Sequence, residues 1–227
     1  MRARASSSTV RTMREHERGE QPFGATARAS EWDARYRERA VAMWSGRPNG
    51  RLVAEVAALT PSRALEVGCG EGADAIWLAQ RGWTVTAIDV SEVAIGRARE
   101  ASHRACACVE WICGDVLQTR FPASSFELVS LQYPALPKAA GDAAVRSLLA
   151  TVRPGGVPLA IYHDLDDEHL EHMRARGVDP ADYVGADDLG RLLGDEFTVE
   201  LQAVEPRIDP PPGTPHIAVV VLRARRR

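Results

Sequence analysis

Between Arg63 and Asp74 the chain reads Arg-Ala-Leu-Glu-Val-Gly-Cys-Gly-Glu-Gly-Ala-Asp, a block that few folds accommodate. Ala64, Leu65 and Val67 form an apolar run of strand length. Gly68, Gly70 and Gly72 break it, and Ala75, Ile76, Leu78 and Ala79 then recur at helical spacing. Strand, glycine-rich turn and helix in that order make a ligand cradle. Glycines let backbone approach a bound molecule, and a helix N-terminus offers unpaired N–H groups and a partial positive charge. Gly68, Gly70 and Ala73 also satisfy the dinucleotide spacing G-x-G-x-x-[GA]. Glu66 argues against a pyrophosphate, because its carboxylate would repel one while suiting an ammonium or sulfonium.

The chain after this block alternates between strand and helix patterns. Strands are expected at Thr84 to Ile88, Val109 to Cys113, Phe126 to Leu131 and Val157 to Tyr162. Between them Ser91 caps a helix running to about His103. A further helix runs from Asp142 through Val152 and is stopped by Pro154-Gly-Gly156. Two helical stretches follow, near Asp166–Arg176 and Asp187–Leu193. Strands at Phe197 to Val204 and His216 to Arg223 close the chain, joined by a proline-rich loop too short for a helical crossover. The alternation predicts a doubly wound, Rossmann-like α/β sheet of seven strands, mostly parallel, with the last two forming a hairpin. Residues 1–29 are polar, rich in Arg and Ser and aperiodic, and are expected to form a disordered leader. Residues 30–227 are expected to form one domain, with a helical cap at about 30–60 beginning near Ser30.

The block Leu65-Glu-Val-Gly-Cys-Gly-Glu-Gly72 resembles motif I of the class I S-adenosylmethionine-dependent methyltransferases. The resemblance spans roughly Trp32 to Arg223 and implies one antiparallel strand inserted near the sheet's end. Trp32-Asp-x-x-Tyr36 with Trp44-Ser-Gly-Arg-Pro48 is similar to the N-terminal cap of the tellurite-resistance and thiopurine methyltransferase group. It implies S-adenosyl-L-methionine as cofactor, S-adenosyl-L-homocysteine as product and a small-molecule methyl acceptor.

In open α/β sheets ligands bind beyond the carboxyl ends of the strands, so the residue at each strand end is a candidate. Asp89 follows Gly68 by about 20 residues, where a carboxylate accepts ribose hydroxyls. Val90 is expected on the adenine face. The resemblance implies that Asp115 accepts from the adenine amino group, with Val116 offering a backbone N–H beside Gly114. Glu66 either faces the cationic end of the cofactor or orders the glycine loop around Gly68, Cys69 and Gly70. Gln132-Tyr133-Pro134 occupies the family's fourth motif, beside the transferring methyl. It departs from the Asn/Asp-Pro-Pro-Tyr form used on nucleobase amino groups, which argues against a nucleic-acid substrate. Tyr36, Trp44 and Arg47 belong to the cap, with Trp44 offering a π face to the sulfonium and Arg47 a planar fork to the methionine carboxylate. His163 is a candidate general base, or a residue that only shapes the pocket.

The formal net charge of −3 gives no basic surface as a whole. Of 28 cationic residues only Lys138 is lysine, a bias that reads as genomic rather than as a nucleic-acid site. No apolar run approaches the roughly 18 residues that span a membrane. With no apolar signal core either, a cytoplasmic protein is expected, as monomer or homodimer. Cys106, Cys108 and Cys113 lack a convincing fourth ligand, and no metal is expected there. The acidic run from Asp164 to Glu168, with His169 and His172, reads as the dipole complement of a helix start. His216 and Asp209 are further residues placed near the pocket by the last hairpin. The alternatives are a S-adenosylmethionine-binding partner without turnover and a nicotinamide-dependent oxidoreductase.

Overall fold

The computed structural model describes residues 23–39, 42–175, 177–210 and 217–227. Its strands are β1 (Arg63–Val67), β2 (Thr84–Asp89), β3 (Val109–Cys113), β4 (Phe126–Gln132), β5 (Val152–His163), β6 (Phe197–Pro206) and β7 (Ala218–Arg226). They form one seven-stranded sheet in the order β3-β2-β1-β4-β5-β7-β6. The first five strands pair in parallel; β7 runs antiparallel between β5 and β6. The doubly wound sheet with a closing hairpin is thus the architecture expected, and β7 is the inserted antiparallel strand.

The helices are α1 (Phe23–Arg37), α2 (Gly50–Val56), α3 (Ala73–Gln80), α4 (Glu92–Arg104), α5 (Asp142–Leu149), α6 (Asp167–Ala175) and α7 (Ala186–Leu193). Alternation along the strands gives each face of the sheet its own core. Leu65, Val67, Val129 and Leu131 pack against Val145, Leu148, Leu189 and Leu192 of α5 and α7. Ala64, Val85, Ala87, Leu128 and Leu159 pack against Leu52 of α2 and Leu78 of α3. Central parallel strands covered on both faces must be apolar almost throughout, and β1 and β4 are. Inside them the polar Glu66 and Ser130 lie side by side in the register and both are buried.

Two expectations need correction. The helix expected to reach Val152 ends at Leu149, and Pro154-Gly-Gly156 lies inside β5. Phe126 pairs with Val152 and Leu128 with Val157, so the extra residues bulge out of the ladder. Gly155 takes φ +78, and a Cβ on Gly156 would sit 2.9 Å from the carbonyl oxygens of Arg153 and Glu127. These breakers shape a strand edge rather than stop a helix. At the other end α1 begins at Phe23, ahead of Ser30, where order was expected to begin. Alanines at 25, 27 and 29 favour that extension. Residues 1–22 of the expected leader lie outside the described residues.

Gly72 shows how closely α4 and β3 press on the glycine turn. Its φ is +86, and a Cβ there would meet Trp111 at 2.5 Å and the Ala98 Cβ at 3.0 Å. Gly72→Ala should therefore cost about 2–4 kcal/mol, from the left-handed backbone and the overpacked Trp111 ring together. Urea unfolding measures this directly. An unchanged midpoint would mean that Trp111 yields freely and that the contact is not a constraint.

Candidate active site

Strand order reverses between β1 and β4, and the crevice beyond their carboxyl ends is where an open α/β sheet receives its ligand. A cavity of about 1260 Å³ opens there. Of the residues expected from the sequence, Tyr36, Trp44, Arg47, Glu66, Gly68, Cys69, Gly70, Asp89, Val90, Gly114, Asp115, Val116, Gln132, Tyr133, His163 and Asp209 lie on its wall.

The glycine turn is fastened to the neighbouring strand. Asp89 Oδ2 accepts from the Gly70 N–H at 2.8 Å, while Oδ1 accepts from the Ser91 N–H at 2.9 Å. Ser91 itself caps α4 by accepting from the Ala94 N–H. Burial pushes the Asp89 carboxyl up, against the backbone N–H groups that favour its charged form. Gly70 has φ +53, and a Cβ there would come within 3.0 Å of the Tyr36 hydroxyl. The turn must be bare at this point because the cap lies directly on it. Asp115 uses one carboxylate oxygen to accept from the Leu117 N–H and the other to accept from Arg28 of α1 at 2.7 Å.

Behind the turn lies a network that crosses the sheet's edge. Glu66 is 1 % exposed, hydrogen-bonds with Ser130, and leaves Oε2 without a partner among the described residues. Ser130 accepts from the Gln132 amide at 2.9 Å, and Gln132 Oε1 accepts from Asn49 at 2.8 Å. The Asn49 backbone N–H in turn donates to Asp74 Oδ1 at 2.6 Å. Burial and then Asp74 push the Glu66 carboxyl well above the usual carboxylate range. Burial also pushes Asp74 up, to about 6, against the pull of the Asn49 N–H. Both desolvated carboxyl groups line the cavity, and among the described residues neither forms an ion pair. Such a site favours a positive ligand. Cys69 beside them is pushed up chiefly by burial and is an unreactive thiol.

The cap is held by a residue that the sequence reading passed over. Glu71 accepts from the Met43 N–H at 3.0 Å and the Trp44 N–H at 3.1 Å, and from Arg97 of α4 at 2.8 Å. Arg97 also donates to the carbonyls of Tyr36 and Arg39. The Trp44 indole donates to the Tyr36 hydroxyl at 3.2 Å, with half of Trp44 left exposed. Burial, with Asp89 next, pushes the Tyr36 phenol up and keeps it neutral. Arg47 is on the rim, near Asp209 at 3.9 Å, and both are exposed.

At the far end the Tyr133 and His163 rings stack, with centroids 4.1 Å apart and planes 19° apart. Tyr133 takes φ +53, and Arg207 lies 5.8 Å from its ring. The Tyr162 hydroxyl is buried with no hydrogen bond among the described residues, and burial pushes the phenols of both Tyr133 and Tyr162 up. The apolar remainder comes from Leu165, Leu170 and Met173 of the α6 region and from Leu136 and Val184. The Val184 N–H donates to the Leu136 carbonyl at 2.8 Å, tying the two loops that close this end. Asp166 caps α6, accepting from the His169 N–H and contacting its ring. Among the described residues no three His, Cys, Asp or Glu side chains gather as a metal site, and no helix is long and apolar enough to cross a membrane. His216 and the side chain of His172 lie outside the described residues. Signals for Glu71 and Asp74 were present in the glycine block itself, as carboxylates in a turn and a helix start that need neither.

Residues 64–156 match the family model of a methyltransferase domain. The structure reported for the conversion of a disulfide bond into a thioacetal group during echinomycin biosynthesis is 24% identical over 88% of this chain and 92% of its own, with a TM-score of 0.69. The N-methyltransferase NodS from Bradyrhizobium japonicum, solved with S-adenosyl-L-homocysteine, is 22% identical over 78% of this chain and 84% of its own, with a TM-score of 0.59. TehB from Haemophilus influenzae is 14% identical over 88% and 67%, with a TM-score of 0.60. No curated protein matches the sequence. The domain match over residues 64–156 and the shared fold support a methyltransferase domain with S-adenosylmethionine as its cofactor. The wall fits that cofactor, since the orphaned Glu66 oxygen suits a cation and the bare Gly68–Gly70 turn admits close approach.

Glu71→Ala should release the cap. Each charge-assisted hydrogen bond lost is worth about 1.5–3 kcal/mol, so amide exchange at Met43 and Trp44 should quicken by at least about tenfold. Exchange rates equal to the parent would show that the cap is held by other contacts.

Proposed function

We propose that this protein transfers a methyl group from S-adenosylmethionine to a nitrogen, oxygen or sulfur atom of a small molecule by in-line displacement. The observation that carries this reading is the single cavity of about 1260 Å³ with two chemically different ends. One small ligand occupies roughly 300–1,000 Å³, so the space suits a cofactor and an acceptor together. The polar end, from Glu66 to Asp115, takes the cofactor: Asp89 the ribose hydroxyls, Val90 the adenine face, Asp115 and the Val116 N–H the adenine edge. Gly114 leaves room beside them, and Gln132 holds Asn49 against the methionine end. The apolar end around Leu136, Leu165 and Met173 takes the acceptor.

S-adenosylmethionine supplies a methyl carbon already activated by its sulfonium. Held by Glu66, Asp89 and Asp115, it would supply that methyl to the acceptor's lone pair, and His163 would receive the proton that the acceptor atom gives up. No covalent nucleophile is required of the protein. Tyr133 and His163, stacked at the acceptor end, set the direction of approach. Trp44 and Tyr36 cover the glycine turn and exclude water, while Arg47 at the rim receives the methionine carboxylate. Orientation of this kind contributes up to about 7–11 kcal/mol of a barrier.

S-adenosyl-L-homocysteine at 100 times its dissociation constant should stabilise the protein by about 2.7 kcal/mol, read as a raised Tm, and NAD should not. A shift with NAD and none with S-adenosyl-L-homocysteine would sink the reading. Once an acceptor is found among phenols, thiols and amines, His163→Ala should lower turnover by about 10²–10⁴-fold near neutral pH. The defect should shrink at high pH, where the acceptor ionises unaided. A loss independent of pH would make His163 a positioning residue instead.

A further inference from the structure

We propose that the Tyr162 hydroxyl sets which acceptors this site takes, by donating a hydrogen bond to an uncharged oxygen of an otherwise apolar molecule. The proposal rests on the reading of the apolar end given above and names the acceptor class for it. Tyr162 is next to last in β5, lines the cavity, and packs against the core between the sheet and helices α5 and α7. Its hydroxyl is shielded from water and has no hydrogen-bond partner among the described residues. A buried polar group of this kind calls for an explanation, and on a cavity wall a ligand atom supplies one.

The surroundings decide what that atom is. Leu136, Leu165, Leu170, Met173 and Val184 give this part of the cavity an apolar wall. Charged side chains beside them are matched: Lys138 pairs with Asp188 at 2.8 Å and Arg174 with Asp179 at 3.5 Å, while Asp187 accepts from Gln202 at 2.9 Å. A charged acceptor would have to break one of these pairs to find a partner, whereas an uncharged one leaves them intact. Burial, with Asp188 next, pushes the Tyr162 phenol up, so it stays a neutral O–H donor, and the same carboxylate disfavours an anionic oxygen beside it. A carbonyl, ether or hydroxyl oxygen meets both conditions. Successive residues of a strand project to opposite faces, so Tyr162 and His163 reach the acceptor from different sides. The oxygen bound by Tyr162 is therefore distinct from the atom that is methylated. Discrimination follows, because an analogue without that oxygen leaves the hydroxyl buried and unpaired, a stronger penalty than a small misfit against the apolar wall.

The probes are matched pairs of aromatic ketone and hydrocarbon, indanone with indane and fluorenone with fluorene. They are titrated by ligand-observed NMR into the parent protein saturated with S-adenosyl-L-homocysteine and into Tyr162→Phe treated alike. The ketones should lose about tenfold in affinity in Tyr162→Phe, while the hydrocarbons hold or gain. In the parent the carbonyl stretch of bound fluorenone should lie at lower frequency than in the variant, the signature of an accepted hydrogen bond. In urea the empty Tyr162→Phe protein should unfold at the same midpoint as the parent or a higher one, because the hydroxyl removed was bonded to nothing. A lower midpoint, or failure to fold, gives the hydroxyl a structural partner and overturns the proposal. Equal losses for ketone and hydrocarbon, no loss for either, or an unshifted carbonyl stretch overturn it as well. Should the parent bind S-adenosyl-L-homocysteine but none of the four probes, the reading of the apolar end falls with the proposal. Failure to bind S-adenosyl-L-homocysteine itself overturns the cofactor reading beneath both.

Discussion

Asp89 is the side chain through which the parts of the site meet. One oxygen accepts from the Gly70 N–H and the other from the Ser91 N–H. A turn of glycines has little to hold it, since it lacks side chains to pack. A carboxylate from the next strand supplies that hold and also anchors the start of α4. The position of α4 then follows, and with it Arg97, which reaches back across the turn to Glu71. Sheet, turn, helix and cap are thus linked through two carboxylates. Neither can be replaced by apolar packing, because what they bind is backbone N–H.

That arrangement concentrates acid where the sheet is most buried. Glu66, Asp74 and Asp89 all have carboxyls pushed up, chiefly by burial. A carboxyl raised in the folded state binds protons more tightly there than in the unfolded chain. The stability it permits is fully present below the unfolded value near 3.8 and is lost as pH rises through the folded value, about 6 for Asp74. Near neutral pH these buried carboxyls therefore cost the fold some of its stability. Replacing Glu66 or Asp74 by a neutral isostere should favour the fold, whereas Asp89 needs both its oxygens as acceptors for backbone N–H.

Much of the fold was legible because its signals are local. Strand and helix patterns alternate, each strand ends in a recognisable residue, and Gly68 to Gly72 mark the turn. The exception is instructive: Pro154-Gly-Gly156 reads locally as a helix stop, whereas pairing with β4 makes it a bulge inside β5. The same limit applies to the site. Residues at strand ends were found, because topology alone directs them to the crevice. Asn49 was not, because its role depends on meeting Asp74 25 residues away and Gln132 83 residues away. Tyr162 escaped notice for a different reason. An apolar ring in a buried strand looks like core until its hydroxyl is found without a partner.

The cap carries the synthesis one step further, because its contacts fall on the groups that a cofactor would use. Arg28 of α1 occupies the Asp115 oxygen not taken by Leu117, and Asp33 accepts from the Ser91 hydroxyl at 2.6 Å and the Val93 N–H at 3.2 Å. Asp115 and the start of α4 are therefore both roofed by the same helix. A ligand amino group approaching Asp115 must share that oxygen with Arg28 or displace it. Sharing is sterically undemanding, since a carboxylate offers about four lone-pair sites. It leaves the guanidinium beside the ligand and the helix in place. Displacement would instead detach one end of α1 while Asp33 held the other. The pairing of Asp33 with both a hydroxyl and a backbone N–H favours the first course: α1 is pinned independently of Asp115, so the roof stays in place when a ligand reaches that carboxylate.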